Sequence, residues 1–120
     1  MKIAVSATGQ SPDANVDPRF GRAAFFVVYD TDTNAWSAHD NVQNLNAAQG
    51  AGIQSAETVS RLGAEVIITG HCGPKAFRTL SAAGIKIVVG PDGTVQEAVE
   101  AYQAGKLTPA DAPNAESHWL

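Results

Sequence analysis

Two short apolar runs dominate the second half of this chain: Val66-Ile67-Ile68-Thr69 and Ile85-Lys86-Ile87-Val88-Val89. Neither alternates cleanly between polar and apolar residues, as a strand with one wet face would. Each is followed by a turn containing glycine and then by residues at helical spacing. Gly70-His71-Cys72-Gly73-Pro74-Lys75 leads into Ala76, Phe77, Leu80 and Ala83, while Gly90-Pro91-Asp92-Gly93 leads into Val95, Ala98, Val99 and Tyr102. Strands buried on both faces and alternating with helices require a largely parallel sheet covered by those helices. Such sheets place ligands at the carboxyl ends of their strands.

The rest of the chain fits around these units. Residues 2–7, 24–30 and 35–40 read as strands, the last two joined as a hairpin through Thr31-Asp32-Thr33-Asn34. Ile53, Ala56, Val59 and Leu62 mark a helix stopped by Gly63, and residues 65–69 and 85–89 supply the fourth and fifth strands. Pro74 suits a first helical position, and Thr94-Val95-Gln96-Glu97 spells a capping box. Gly84 and Gly105 close the last two helices. The order β-β-β-α-β-α-β-α predicts an α/β fold, a five-stranded mixed sheet flanked by helices in a ribonuclease-H-like arrangement. Residues 1–107 form a single domain in this reading. Residues 108–120 form an extended tail, with Trp119 docking on the domain or on a partner. The polar segments 8–22, 41–50 and 70–75 are expected to meet at one end of the sheet.

Charge and cysteine content limit the function classes. Eight Lys and Arg against twelve Asp and Glu give a formal charge of −4 among 120 residues, which speaks against nucleic-acid or anionic-membrane binding. One cysteine excludes an internal disulfide. The N-terminal apolar run is too short for a signal-peptide core, so a cytoplasmic protein is expected. Against the acidic background, Arg19, Arg22, Lys75 and Arg78 all flank glycine-containing loops.

The turn at 70–75 is the strongest site candidate. A helix start offers unpaired amides and a positive dipole end, which suit an anion and acidify a nearby thiol. Cys72 is therefore expected to be a reactive thiol open to solvent, with His71 beside it as a second soft donor. Asp17-Pro18-Arg19-Phe20-Gly21-Arg22 is a second candidate: Phe20 plugs the core, Gly21 permits close approach, and two arginines face an anion. The third is 44–52, whose Asn44, Asn46 and glycines stand before the first helix. His39 and His118 are isolated, and no cluster has zinc-finger or metalloprotease spacing.

Two enzyme readings compete. His71-Cys72 with Arg78-Thr79 spells the H-C-x5-R-[ST] pattern of a thiol phosphatase. Pro74 removes an amide that a phosphate cradle needs, and Phe77 reads as a core residue. A nuclease would need carboxylates on strand ends, and Ile3-Ala4-Val5-Ser6 carries none.

At the level of motifs, Asp17-Pro18-Arg19-Phe20-Gly21-Arg22-Ala23, followed by Phe26 and Asp30, resembles the first signature of the dinitrogenase iron-molybdenum cofactor-binding family. Gly70-His71-Cys72-Gly73-Pro74-Lys75-Ala76, with Leu80 and Gly84-Ile85, resembles its second, and His118-Trp119 is similar to the ends of small free-standing members. The resemblance covers almost the whole chain. It implies a ribonuclease-H-like fold that carries an anionic metal–sulfur cluster without catalysis, as a binder or an assembly scaffold. For a small cytoplasmic member it implies a molybdenum–copper sulfide cluster held without a conventional set of protein ligands; an iron–molybdenum–sulfur cluster is the alternative cargo. Arg19, Arg22, Asn44, Asn46, Gly70, His71, Cys72, Gly73 and Lys75 are then the expected cluster-lining residues, with Cys72 and His71 as candidate metal ligands. Soft thiolate and imidazole donors suit copper(I). One departure matters: Arg19 stands where nitrogenase-cofactor carriers often have histidine, which favours charge pairing there. The cysteine-rich radical domain fused to this module in a cofactor-building enzyme is absent from these residues, so that chemistry is not expected. Protein partners are not indicated.

Overall fold

The computed structural model describes residues 1–43 and 50–114. Five strands form one sheet: β1 (Lys2–Ala7), β2 (Phe25–Asp30), β3 (Ala35–Asp40), β4 (Val66–Thr69) and β5 (Lys86–Val89). Three helices accompany them: α1 (Ala51–Arg61), α2 (Pro74–Ala82) and α3 (Val95–Gln103). The spatial order is β3-β2-β1-β4-β5, with β1, β4 and β5 parallel and the β2–β3 hairpin antiparallel. The expected element order and sheet type are those observed.

Side-chain alternation explains the layers. Ala4, Phe26, Val28, Ile67 and Ile87 point to one face, where Ala56 and Val59 of α1 and Ala76 and Leu80 of α2 cover them. Ile3, Val5, Val27, Val66, Ile68 and Val88 point to the other, under Val95, Ala98 and Val99 of α3. β4 lies fourth of five strands between these layers, and all four of its residues are buried. That is why its sequence reads as an unbroken apolar run.

Turn chemistry fixes the ends. Asn34 takes the left-handed conformation (φ 58°) in the β2–β3 turn, where its N–H donates to the Asp30 carbonyl at 2.8 Å. At the start of α3, the Thr94 hydroxyl accepts from the Glu97 N–H and the Glu97 carboxylate accepts from the Thr94 N–H, completing the capping box. Among the described residues, no helix is long and apolar enough to cross a membrane.

The register puts the candidate segments together. Ala7 pairs with Phe25 and Phe25 pairs with Asp40, so the entry to β2 and the exit from β3 share an edge with the carboxyl end of β1. The carboxyl ends of β4 and β5 lie at the same edge. The segments 8–24, 41–43 and 70–75 therefore leave the sheet at one end.

Candidate functional site

The site is built on a short extension of β4. Beyond Thr69 the chain bends at Gly70 and pairs again at His71, where residues 18–20 run beside it in parallel with Arg19 opposite His71. The His71 N–H donates to the Pro18 carbonyl at 2.7 Å, and the Phe20 N–H donates to the His71 carbonyl at 3.2 Å. Gly70 is required by proximity: a Cβ there would stand 2.7 Å from the Pro18 Cα. Underneath, the buried Ser6 hydroxyl donates to the Asp17 carbonyl at 2.8 Å and lies 2.7 Å from the Thr69 hydroxyl. The Asp17 carboxylate, also buried, accepts from the Arg19 N–H at 3.0 Å and shapes the turn.

The second wall meets α1. A Cβ on Gly21 would lie 2.9 Å from the Gly52 nitrogen, so the 17–22 segment abuts the backbone of the first turn of that helix. The Gly21 carbonyl accepts from Gln43 Nε2 at 2.6 Å and from the Ser55 hydroxyl at 3.2 Å. Gln43 and Ser55 are 2.9 Å apart, and Asn41 Nδ2 reaches the Ala23 carbonyl at 2.9 Å. The three polar segments thus meet, as expected, over their described parts. Asn44 and Asn46 lie outside the described residues, as do His118 and Trp119.

Two helix N-termini open at this end. α1 begins at Gly50 and α2 at Gly73; neither has a side-chain cap or an acid in its first turn. α3, on the opposite face, has both. Neither cap glycine can supply a side-chain acceptor, so among the described residues no cap side chain bonds the first amides of α1 or those that follow Pro74 in α2, and both starts carry the positive dipole end. Arg19, Arg22 and Lys75 are exposed beside them, and His71 is half-buried. Among the described residues no ion pair engages Arg19 or Lys75.

Cys72 departs from expectation. Its side chain is fully buried among the residues under α1 and α2, and burial pushes the thiol pKa up to about 12. The helix-start dipole would lower it, and desolvation outweighs that effect. The expected acidified, solvent-open thiol is therefore corrected to a protonated core residue. This also removes the phosphatase nucleophile, because such an enzyme attacks with a thiolate. Pro74 occupies the first helical position and Arg78 is exposed on α2. Among the described residues no three His, Cys, Asp or Glu side chains are placed to hold a metal ion.

Asn114 is the contributor that sequence reasoning missed. The 107–114 segment has no helix or strand, yet it is fastened. The Ala110 N–H donates to the Ile87 carbonyl at 2.7 Å, and the Asn114 N–H donates to the Cys72 carbonyl at 3.2 Å. Asn114 Oδ1 accepts from the Cys72 N–H at 2.8 Å, and Nδ2 donates to the Gly70 carbonyl at 3.0 Å. A lone asparagine after a proline, with no periodicity around it, carries no signal of such contacts.

Known proteins resemble this chain in sequence and in fold. A family model described as dinitrogenase iron-molybdenum cofactor matches residues 1–105. The apo form of the orange protein from Desulfovibrio gigas is 45% identical, with 95% of this chain and 96% of that one covered and a TM-score of 0.90. A NifB-like protein from Thermotoga is 31% identical over 97% of this chain and 98% of its own, with a TM-score of 0.80. An uncharacterized protein of Methanocaldococcus jannaschii is 26% identical over 109 residues, 89% of each chain.

Proposed function

Because this chain belongs to the dinitrogenase iron-molybdenum cofactor family, we propose that it is a non-catalytic carrier or assembly scaffold for an anionic molybdenum–copper sulfide cluster. Family membership and the likeness to the orange protein support the coarser part, a metal-cluster binding or carrier role. The observation that carries the finer part is the donor set. The described residues offer no cage of three metal-ligating side chains, but they do offer two uncapped helix starts beside Arg19, Arg22 and Lys75. Such a surface suits a cargo that brings its own sulfide ligands and needs its negative charge offset. A bare cation would find little to bind there.

In this reading the backbone of Gly73 and the first amides of α2 face the cluster, with Arg19, Arg22 and Lys75 around it. His71, half-buried and held at its backbone on both sides, is the soft donor for copper. Gly70 lets the wall close against Pro18. Cys72 serves the site through its main chain, and ligation by its thiol would require the core to open. Asn44 and Asn46 remain candidates for the rim before α1.

Reconstitution tests this. Protein mixed with copper and tetrathiomolybdate and then desalted is expected to keep both metals and a visible absorption band. Loss of both on desalting would overturn the proposal. The family description favours one further cargo, an iron–molybdenum cluster. Metal analysis of protein isolated from its native cell separates the two: copper with molybdenum supports the first reading, iron with molybdenum the second.

A further inference from the structure

The turn that carries His71 is held from two directions, both by residues more than forty positions away, one earlier in the chain and one later. On the first side stand Pro18 and Phe20, bonded to the His71 N–H and carbonyl. On the second stands Asn114, bonded to the Gly70 carbonyl, the Cys72 N–H and the Cys72 carbonyl. The Asn114 carboxamide donates to one residue and accepts from the next but one, as a peptide group of a neighbouring strand would. Its own segment is pinned to β5 through Ala110 and Ile87.

We propose that Asn114 is a positioning residue for this turn, and that docking of the 107–114 segment and occupancy of the site reinforce each other. The second half rests on the cluster-binding reading above; the first does not.

The physical case begins with glycine. Gly70 and Gly73 flank His71-Cys72, and glycine loses more conformational freedom on ordering than any other residue. A turn so composed keeps one geometry only if its main-chain groups are bonded. Two of its bonds come from the Asn114 side chain alone. They fix the peptide planes on either side of His71, and hence the direction of its imidazole and of the chain entering α2. Asn114 is itself exposed, so its removal takes little apolar contact from the core. A ligand that selects the docked geometry must, by linkage, strengthen the docking by the same factor.

Three measurements on the full-length chain test this. In Asn114→Ala, the Cys72 amide is expected to exchange with solvent about tenfold faster in the ligand-free protein, with the Ile67 amide unchanged. Asn114→Asp keeps the acceptor for Cys72 and loses the donor to Gly70, so its Cys72 exchange should fall between the two. With copper and tetrathiomolybdate as the probe, Asn114→Ala should bind about five- to tenfold more weakly, while its melting temperature falls only by the few degrees that two lost hydrogen bonds account for. In the wild type, the Ala110 and Asn114 amides should slow on adding that probe. Unchanged Cys72 exchange in both variants would overturn the positioning role. So would unchanged probe binding in Asn114→Ala despite faster Cys72 exchange, which marks a contact with no bearing on the site. If Ala110 and Asn114 exchange is indifferent to bound probe, the linkage is overturned. Failure of the wild type to bind the probe at all overturns the cluster reading and the linkage with it, while Cys72 exchange still decides the positioning role.

Discussion

Cys72 sits under two opposed influences: the start of α2 favours its thiolate and the core disfavours it. Burial prevails, raising the pKa from 9.0 to about 12. The consequence for stability has a definite sign. Below pH 9.0 folded and unfolded chains both hold the proton, and the group is neutral in the balance. Between pH 9.0 and about 12 the unfolded chain releases it while the folded chain keeps it. Stability therefore falls as pH rises, by about 1.4 kcal/mol per unit across that window. Cys72→Ala should start from a lower stability at pH 7, because it leaves a small void, and should lose less on going to pH 11. Urea midpoints measured for both proteins from pH 7 to 11 check this; parallel profiles would mean the thiol is not buried. The sequence placed this cysteine correctly at a strand-to-helix turn, but not the direction of its side chain. That direction depends on backbone rotation at Gly70 and Gly73, which glycine leaves open.

Among the elements, the patterned ones were legible and the tether was not. Apolar runs at 24–30, 65–69 and 85–89 each predict a strand within one residue of the observed bounds, because burial on the sheet writes itself into adjacent residues. The pairing of 18–20 with the β4 extension was only partly readable. Gly70 read only as part of the candidate turn, and nothing in the sequence named Pro18 as its neighbour. The contacts of Asn114 left no trace, since they go to main-chain atoms forty-two and forty-four positions away. The Gly70 contact makes a prediction at this scale. A Cβ there would stand 2.7 Å from the Pro18 Cα and 2.8 Å from its carbonyl oxygen, both backbone atoms that cannot swing aside. Gly70→Ala should cost about 1–3 kcal/mol as the two segments separate. At Gly50 an added Cβ meets no atom of the described residues within 4 Å, so Gly50→Ala should cost well under that. Thermal unfolding of the two variants compares them, and equal losses would show that residues 18–20 do not press on the turn.

For the whole molecule, the organising fact is where the sheet's carboxyl ends and the helix starts gather. A chain with a net charge of −4 presents Arg19, Arg22 and Lys75 at that end, beside two helix starts free of acids. Lys86 lies at the opposite end of the sheet, where it pairs in register with Val66. A cation at the site and one remote from it can thus be compared on one scaffold. The cluster reading requires local charge to matter and total charge not to, because fields between exposed charges fade over about 8 Å at physiological salt. Lys75→Ala and Lys86→Ala change the net charge equally, and both residues are exposed, so both variants should keep wild-type melting temperatures. Lys75→Ala should weaken tetrathiomolybdate–copper retention about three- to tenfold, with a shallower dependence on salt, while Lys86→Ala leaves both as they were. Dialysis against the probe at about 0.05 and about 0.5 M salt, with screening lengths above and below the physiological value of about 8 Å, distinguishes the cases. Equal effects of the two substitutions would mean that the anion senses the whole molecule's charge, and the surface made by the 70–75 turn, the 17–22 segment and the two helix starts would lose its claim to the cargo.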